Sequence, residues 1–205
     1  GTGIVASTGN GGPATAASVN MPFVCTFDKN QNFYFTEVGI DKVRKIDPSG
    51  VISLFAGGGS SFSDGVPATD AQLSNPVGIA TDASGDVYLC DALNYKIRKV
   101  NAATGVITTV AGTGVMGFSG DNGPATAAKI NPNNICLDRS GNIYILDAGN
   151  NRVRKVNTLG VITTIAGNGT PLYLGDGGAA TAASLKALRG ICADASGNVY
   201  FTQIG

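Results

Sequence analysis

The sequence predicts an all-β chain assembled from repeated four-stranded antiparallel blades, the pattern of a β-propeller. Three observations carry that prediction. Tyrosines fall at positions 34, 88, 144 and 200, spaced by 54, 56 and 56 residues. Aspartates at 28, 82, 138 and 194 keep the same three spacings. Within each period, short β-branched or alternating runs are separated by Gly, Asp and Asn, and no long stretch of 3.6-residue periodicity intervenes.

The second period shows the elements in order. Gly78 to Thr81 is a first strand, apolar on both faces. A turn of the Asp-x-Ser-Gly-Asn/Asp kind leads to a second strand, Val87 to Cys90. Lys96 to Val100 alternates and forms the third, and Val106 to Val110, rich in β-branched residues, forms the fourth. The repeats divide the chain as 1–57, 58–112, 113–167 and 168–205, the last ending after its second strand. Gly1-Thr2-Gly3 matches Gly112-Thr113-Gly114, so this single propeller segment is expected to hold about three and a half blades of a larger ring.

A long repeated insert precedes each first strand. In the third repeat it runs from Gly120 to Ile130, with counterparts at Asn10–Val19, Asp64–Leu73 and Asp176–Leu185. Proline before an Ala-rich stretch predicts the first turn of a short helix, capped by the preceding Asp or Asn. Val19, Leu73, Ile130 and Leu185 are expected to pin it to the blade.

Composition narrows the function. The 205 residues include 30 Gly, 14 cations, 14 anions and four Cys, with no His and no Trp. Thirteen of the acids are Asp and only Glu37 is Glu, which suits turns rather than helix surfaces. Zero net charge argues against a nucleic-acid binder or an anionic-membrane binder. No run of 18 apolar residues is present, so no membrane insertion is expected, and no leader-like segment opens the sequence. The missing histidine excludes Ser-His-Asp and Cys-His catalysis and imidazole-ligated zinc.

Gly-Pro-Ala-Thr-Ala-Ala at 123–128, Asn-Pro at 75 and 131, and Asp147-Ala-Gly-Asn-Asn-Arg-Val-Arg-Lys155 carry a further reading. With these motifs the whole chain resembles the NHL-repeat β-propellers, in the long-repeat variety of secreted bacterial and teneurin-like proteins. The resemblance implies a six-bladed ring, a binding or scaffolding role, and an extracellular, cell-surface or periplasmic location. WD-repeat and kelch families fit poorly without their tryptophans. Lyases similar in fold use histidine, which is absent here. Lactonase-like relatives hold a metal with Glu, Asn and Asp, so a metal-dependent hydrolase or lyase stands as a third reading.

Three groups of residues are candidate sites. Acid–arginine pairs seven residues apart, Glu37 with Arg44, Asp91 with Arg98 and Asp147 with Arg154, are expected to be structural ion pairs across adjacent strands. The alternative is an anion-binding ring, since nine of the 14 cations lie in triplets around these arginines. Asn10, Asp64, Asp121, Asp176, Asn94, Asn150 and Asn151 are expected on one loop face, where protein or carbohydrate would bind. No cofactor is expected, and calcium at Asp64, Asp121 and Asp176 is the weaker reading beside turn-forming roles. Cys25, Cys90, Cys136 and Cys192 fall where other repeats place small core residues, and the sequence leaves their disulfide state open. The absence of third and fourth strands in the last repeat leaves an open edge, which favours self-association by strand addition and makes a structural assembly subunit the second reading.

Overall fold

Each turn between first and second strands is organised by one aspartate. Asp28 Oδ1 accepts the backbone N–H groups of Asn30 and Asn32, both at 2.9 Å. Its Oδ2 accepts the Asn32 side-chain amide at 2.7 Å and the Tyr34 hydroxyl at 3.0 Å. Asp82 bonds Ser84, Asp86 and Tyr88 in the same way. Asp138 bonds Ser140, Asn142 and Tyr144, and Asp194 bonds Ser196, Asn198 and Tyr200. Aspartate and tyrosine therefore keep one period because they are bonded to each other. The residue between them must turn left-handed: Gly85, Gly141 and Gly197 have φ of 95°, 86° and 85°, and Gln31 does so at 62° in the first repeat. Asp47, Asn101 and Asn157 cap the third-to-fourth-strand turns by the same Asx chemistry.

The computed structural model describes residues 1–204, which divide into two compact units, 1–91 with 98–108 and 92–97 with the described residues from 109 onward. In the first, β1 (Pro22–Phe27), β2 (Phe33–Glu37), β3 (Lys42–Ile46) and β4 (Ile52–Ala56) form a sheet in sequence order. A second sheet has the order β5-β9-β8-β7-β6, from β5 (Val66–Pro67), β6 (Pro76–Thr81), β7 (Val87–Asp91), β8 (Lys96–Val100) and β9 (Val106–Ala111). Tyr34, Val43 and Ala56 of the first sheet pack with Ile79, Val87, Leu89, Val100 and Ile107 of the second. Burial separates the two first strands. β6 is buried over its first four residues, whereas β1 leaves Phe23 and Phe27 exposed.

The other unit holds the sheet β10 (Asn134–Leu137), β11 (Ile143–Asp147), β12 (Arg152–Val156) and β13 (Ile162–Ala166), also in sequence order. β14 (Leu188–Ala193) and β15 (Val199–Gln203) form a two-stranded sheet. Leu146, Val153 and Ala166 pack with Leu185, Leu188, Ile191 and Phe201.

The inserts depart from the helical expectation. Each contains only a three-residue 3-10 turn, Ala14–Ala16, Ala68–Asp70, Ala125–Ala127 and Ala180–Ala182, and no side chain caps it. The Asp or Asn is not at the cap because an extended residue, Pro13, Pro67, Pro124 or Ala179, intervenes. The segment before the proline instead bonds the fourth strand of its own repeat. Gly11 donates to the Ile52 carbonyl at 2.8 Å, Gly65 to Ile107 at 2.9 Å and Asn122 to Ile162 at 2.7 Å. The insert thus covers an edge that would otherwise present unpaired backbone. Its glycine is required: Gly120 has φ of 87°, and a Cβ there would lie 2.7 Å from the Ala128 Cα. Leu73, Ile130 and Leu185 are buried, while Val19 is only partly so.

Candidate functional site

An arginine from the third strand anchors each complete repeat. Arg44, Arg98 and Arg154 are all buried, at 0–1% exposure. Their first partner is the acid ending the second strand, and the N···O distances are 3.4 Å to Glu37, 3.6 Å to Asp91 and 3.3 Å to Asp147. These acids are themselves fully buried. A second bond ties each arginine to the insert. Arg98 meets Asp64 at 3.0 Å, and Arg154 meets Asp121 at 2.7 Å and donates to the Ser119 carbonyl at 3.1 Å. In the first repeat, Arg44 donates to Ser7 Oγ at 2.8 Å and to the Thr8 carbonyl at 3.2 Å.

The second-strand acid has a further duty. Glu37, Asp91 and Asp147 accept the backbone N–H groups of Asn20, Ser74 and Asn131 at 2.7, 2.7 and 2.6 Å. Gln203 takes the same part in the last repeat, accepting the Lys186 N–H at 2.9 Å. One carboxylate therefore fixes the approach to the first strand, while its arginine fixes the insert. Burial raises the Asp147 carboxyl above its ordinary value, against the bonds from Asn131, Asn150 and Arg154 that favour its charge. Phe118 completes the third repeat's cluster, with the Arg152 and Arg154 guanidinium carbons 3.8 and 4.8 Å from its ring centroid.

The polar residues expected on a loop face have differing environments. Asp64 and Asp121 carry arginine, and Thr164 also donates to Asp121 at 2.7 Å. Asn150 donates to the Gly117 carbonyl and to Asp147, both at 2.7 Å, and Asn151 donates to the Gly169 carbonyl at 3.3 Å. Asn94 ends a 3-10 turn, Ala92–Asn94. Asn10 and Asp176 are exposed. Among the described residues, no three His, Cys, Asp or Glu side chains come together in an arrangement suited to a metal ion.

The segments leading into the inserts expose apolar side chains. Ile4 and Val5, Phe62, Val115 and Met116, and Leu172 to Leu174 are large hydrophobics left open to solvent just before the four inserts. The first sheet adds an apolar groove of about 280 Å³ lined by Val19, Phe23, Val24, Phe33, Phe35 and Ile46. Sequence reasoning missed these side chains because they follow no fixed spacing. It also missed Ser7, which meets Arg44 from three residues before Asn10, and Gln203, which replaces the second-strand acid and so breaks the charge pattern that revealed the other repeats.

The cysteines are free thiols: Cys90 is buried, Cys25 and Cys192 are exposed, and Cys136 is intermediate. Burial, assisted by the nearby Cys192, pushes the Cys136 thiol up to about 12. It is therefore protonated at neutral pH and a weak nucleophile.

Comparison with known proteins agrees with this architecture. The description "Teneurin NHL domain" matches residues 56–119, and "NHL repeat" matches residues 130–156. Over 60% of its length the chain is 30% identical to Protein SUPPRESSOR OF QUENCHING 1, chloroplastic, of Arabidopsis thaliana, and spans 12% of that protein. Over 96% of its length it is 26% identical to Teneurin-1 of Mus musculus, spanning 8% of it. Among solved structures, an auxiliary nutrient binding protein from Bacteroides ovatus superposes with a TM-score of 0.64 at 19% identity, covering 90% of this chain and 46% of that one. A streptogramin B lyase gives 0.57 at 20% identity, covering 89% and 48%. Likenesses at that identity establish fold alone. The chain thus resembles teneurin NHL domains over residues 56–119 and NHL repeats over residues 130–156, and its sheets fold as blades of a β-propeller.

Proposed function

We propose that the chain is a non-catalytic interaction module that binds a protein partner through the exposed apolar segments that lead into its inserts. The observation that carries this reading is the division of labour in the second and third repeats. The insert's carboxylate is drawn inward to a buried arginine, as Asp64 is to Arg98 and Asp121 to Arg154, while Phe62, Val115 and Met116 in the segments leading into these inserts stay exposed. Solvent-exposed apolar side chains on loops held by a rigid scaffold suit protein recognition. The kinship with NHL and teneurin repeats supports a scaffold role of this kind.

The reading includes no cofactor and no nucleic-acid or membrane partner. It places the module outside the cell, on its surface or in the periplasm, by analogy with the nutrient-binding neighbours from Bacteroides. Carbohydrate stays in the test as the competing ligand, because Phe62 and Tyr173 are exposed aromatics. Protein and glycan arrays probed with the chain, with calcium and with a chelator, separate these possibilities. Protein ligands retained in the chelator support the proposal. Glycan-only binding, or binding that requires calcium, overturns it.

A further inference from the structure

Resting on the reading of the chain as an interaction module, we propose that the partner seated at Val115 and Met116 is an acidic, apolar peptide segment of another protein. Residues 113–119 reach solvent as a fixed loop. Val115 donates its N–H to Thr113 Oγ1 at 3.3 Å, and Asn150 donates to the Gly117 carbonyl at 2.7 Å. Ser119 donates its N–H to the Lys129 carbonyl at 3.3 Å and accepts the Lys129 N–H on Oγ at 3.1 Å. Gly114 and Gly117 turn the chain at φ of 87° and 142°. Val115 and Met116 are nevertheless 52% and 58% exposed. A loop already held in this way loses little freedom on binding.

Three cations frame this loop. The same glycines let two lysine stems lie against its backbone: a Cβ on Gly114 would come within 3.3 Å of Lys96 Cε, and one on Gly117 within 3.4 Å of Lys129 Cδ. The Arg152 guanidinium carbon lies 3.8 Å from the Phe118 ring centroid, and its nitrogens donate to the uncharged Asn150 and Asn168 carbonyls, both at 2.8 Å. Among the described residues, no carboxylate pairs with Lys96, Lys129 or Arg152. The acids of this repeat are engaged elsewhere: Asp121 holds Arg154 at 2.7 Å, and Asp147 is buried against the same arginine. Charge balances over the whole chain, yet positive charge is left uncompensated around two apolar side chains here. Complementarity therefore calls for carboxylates flanking an apolar anchor. The aliphatic pair favours a peptide over a phosphodiester strand, whose polar backbone would leave Val115 and Met116 without apolar contacts.

Panning a random peptide display library against the immobilised chain tests this, followed by anisotropy titration of the selected peptides in labelled synthetic form. Selected peptides should carry more Asp and Glu than Lys and Arg, beside large apolar residues. Lys96→Gln combined with Lys129→Gln should weaken their binding about tenfold at low salt, the combined scale of two exposed ion pairs, and added salt should erase most of that difference. The Tm should stay native, because neither lysine has a carboxylate to lose. Val115→Asp combined with Met116→Asp should abolish binding. Peptides that need Val115 and Met116 but are neutral or basic, or are indifferent to Lys96 and Lys129, overturn this inference and leave the broader reading standing. Failure to select any peptide that depends on Val115 and Met116 overturns both. A labelled single-stranded oligonucleotide that binds this loop more tightly than the peptides also overturns the inference.

Discussion

Replacing Arg154 by leucine should destabilise the fold by about 3 kcal/mol, the lower end of the range for breaking a buried ion pair from one side. The substitution strands Asp147, which is fully buried and would lose its guanidinium at 3.3 Å. It also frees Asp121 from a contact at 2.7 Å and releases the Ser119 carbonyl. The lower end applies because Asp147 keeps two neutral donors, the Asn131 N–H at 2.6 Å and the Asn150 amide at 2.7 Å. Equilibrium urea unfolding measures the loss, read by tyrosine emission because the chain has no tryptophan. Asp147→Asn in the same background removes the orphaned charge and should restore about half of the loss. The penalty should also shrink on acidification. Burial already raises the Asp147 carboxyl, and without arginine it would protonate at a still higher pH. A loss below about 1 kcal/mol, or no coupling in the double mutant, would refute the clamp as a determinant of stability.

Other perturbations address the turns and inserts. Tyr144→Phe removes the hydroxyl bonded to Asp138 at 3.0 Å and should cost about 1 kcal/mol by urea unfolding. Gly120→Ala should cost about 3 kcal/mol, combining left-handed strain with the Ala128 contact, whereas Gly160→Ala, at φ of 76° with open space, should cost only about 1 kcal/mol. Stability should fall as pH drops below about 4, because Asp28 and Asp138 are held below the ordinary value. Burial acts upward on both, but bonds from Asn32 and Tyr34, and from Asn142 and Tyr144, outweigh it. A depressed carboxyl contributes stability above its unfolded value and loses it as pH falls through the folded one, so Asp138→Asn should flatten Tm against pH between 5 and 3. Asp147, raised by burial, works in the opposite sense over its own titration.

The sheets were legible in the sequence because turn chemistry repeats with them. Asp28 and Tyr34 mark a period that the hydrogen bond between them enforces. The strand-two acids and strand-three arginines were legible for a similar reason, since adjacent antiparallel strands bring residues seven apart together, as in Ile145 facing Arg154 beside Asp147. The inserts were not. Pro-Ala-Thr-Ala-Ala has the local preference of a helix start, yet backbone bonds such as Asn122 to Ile162, 40 positions away, hold the segment extended at a sheet edge. Local propensity cannot report a contact of that range. The destination of Asp64 and Asp121 was hidden likewise, because Arg98 and Arg154 lie 34 and 33 positions further along the chain.

The account's central claim is that acids and arginines serve as internal struts while the exposed apolar residues leading into the inserts recognise the partner. The most direct measurement compares the native chain with the double variant Val115→Asp, Met116→Asp on one protein array, with Tm recorded for both. The account predicts loss of the bound partners at an unchanged Tm. Retention of the same partners by the variant would contradict it.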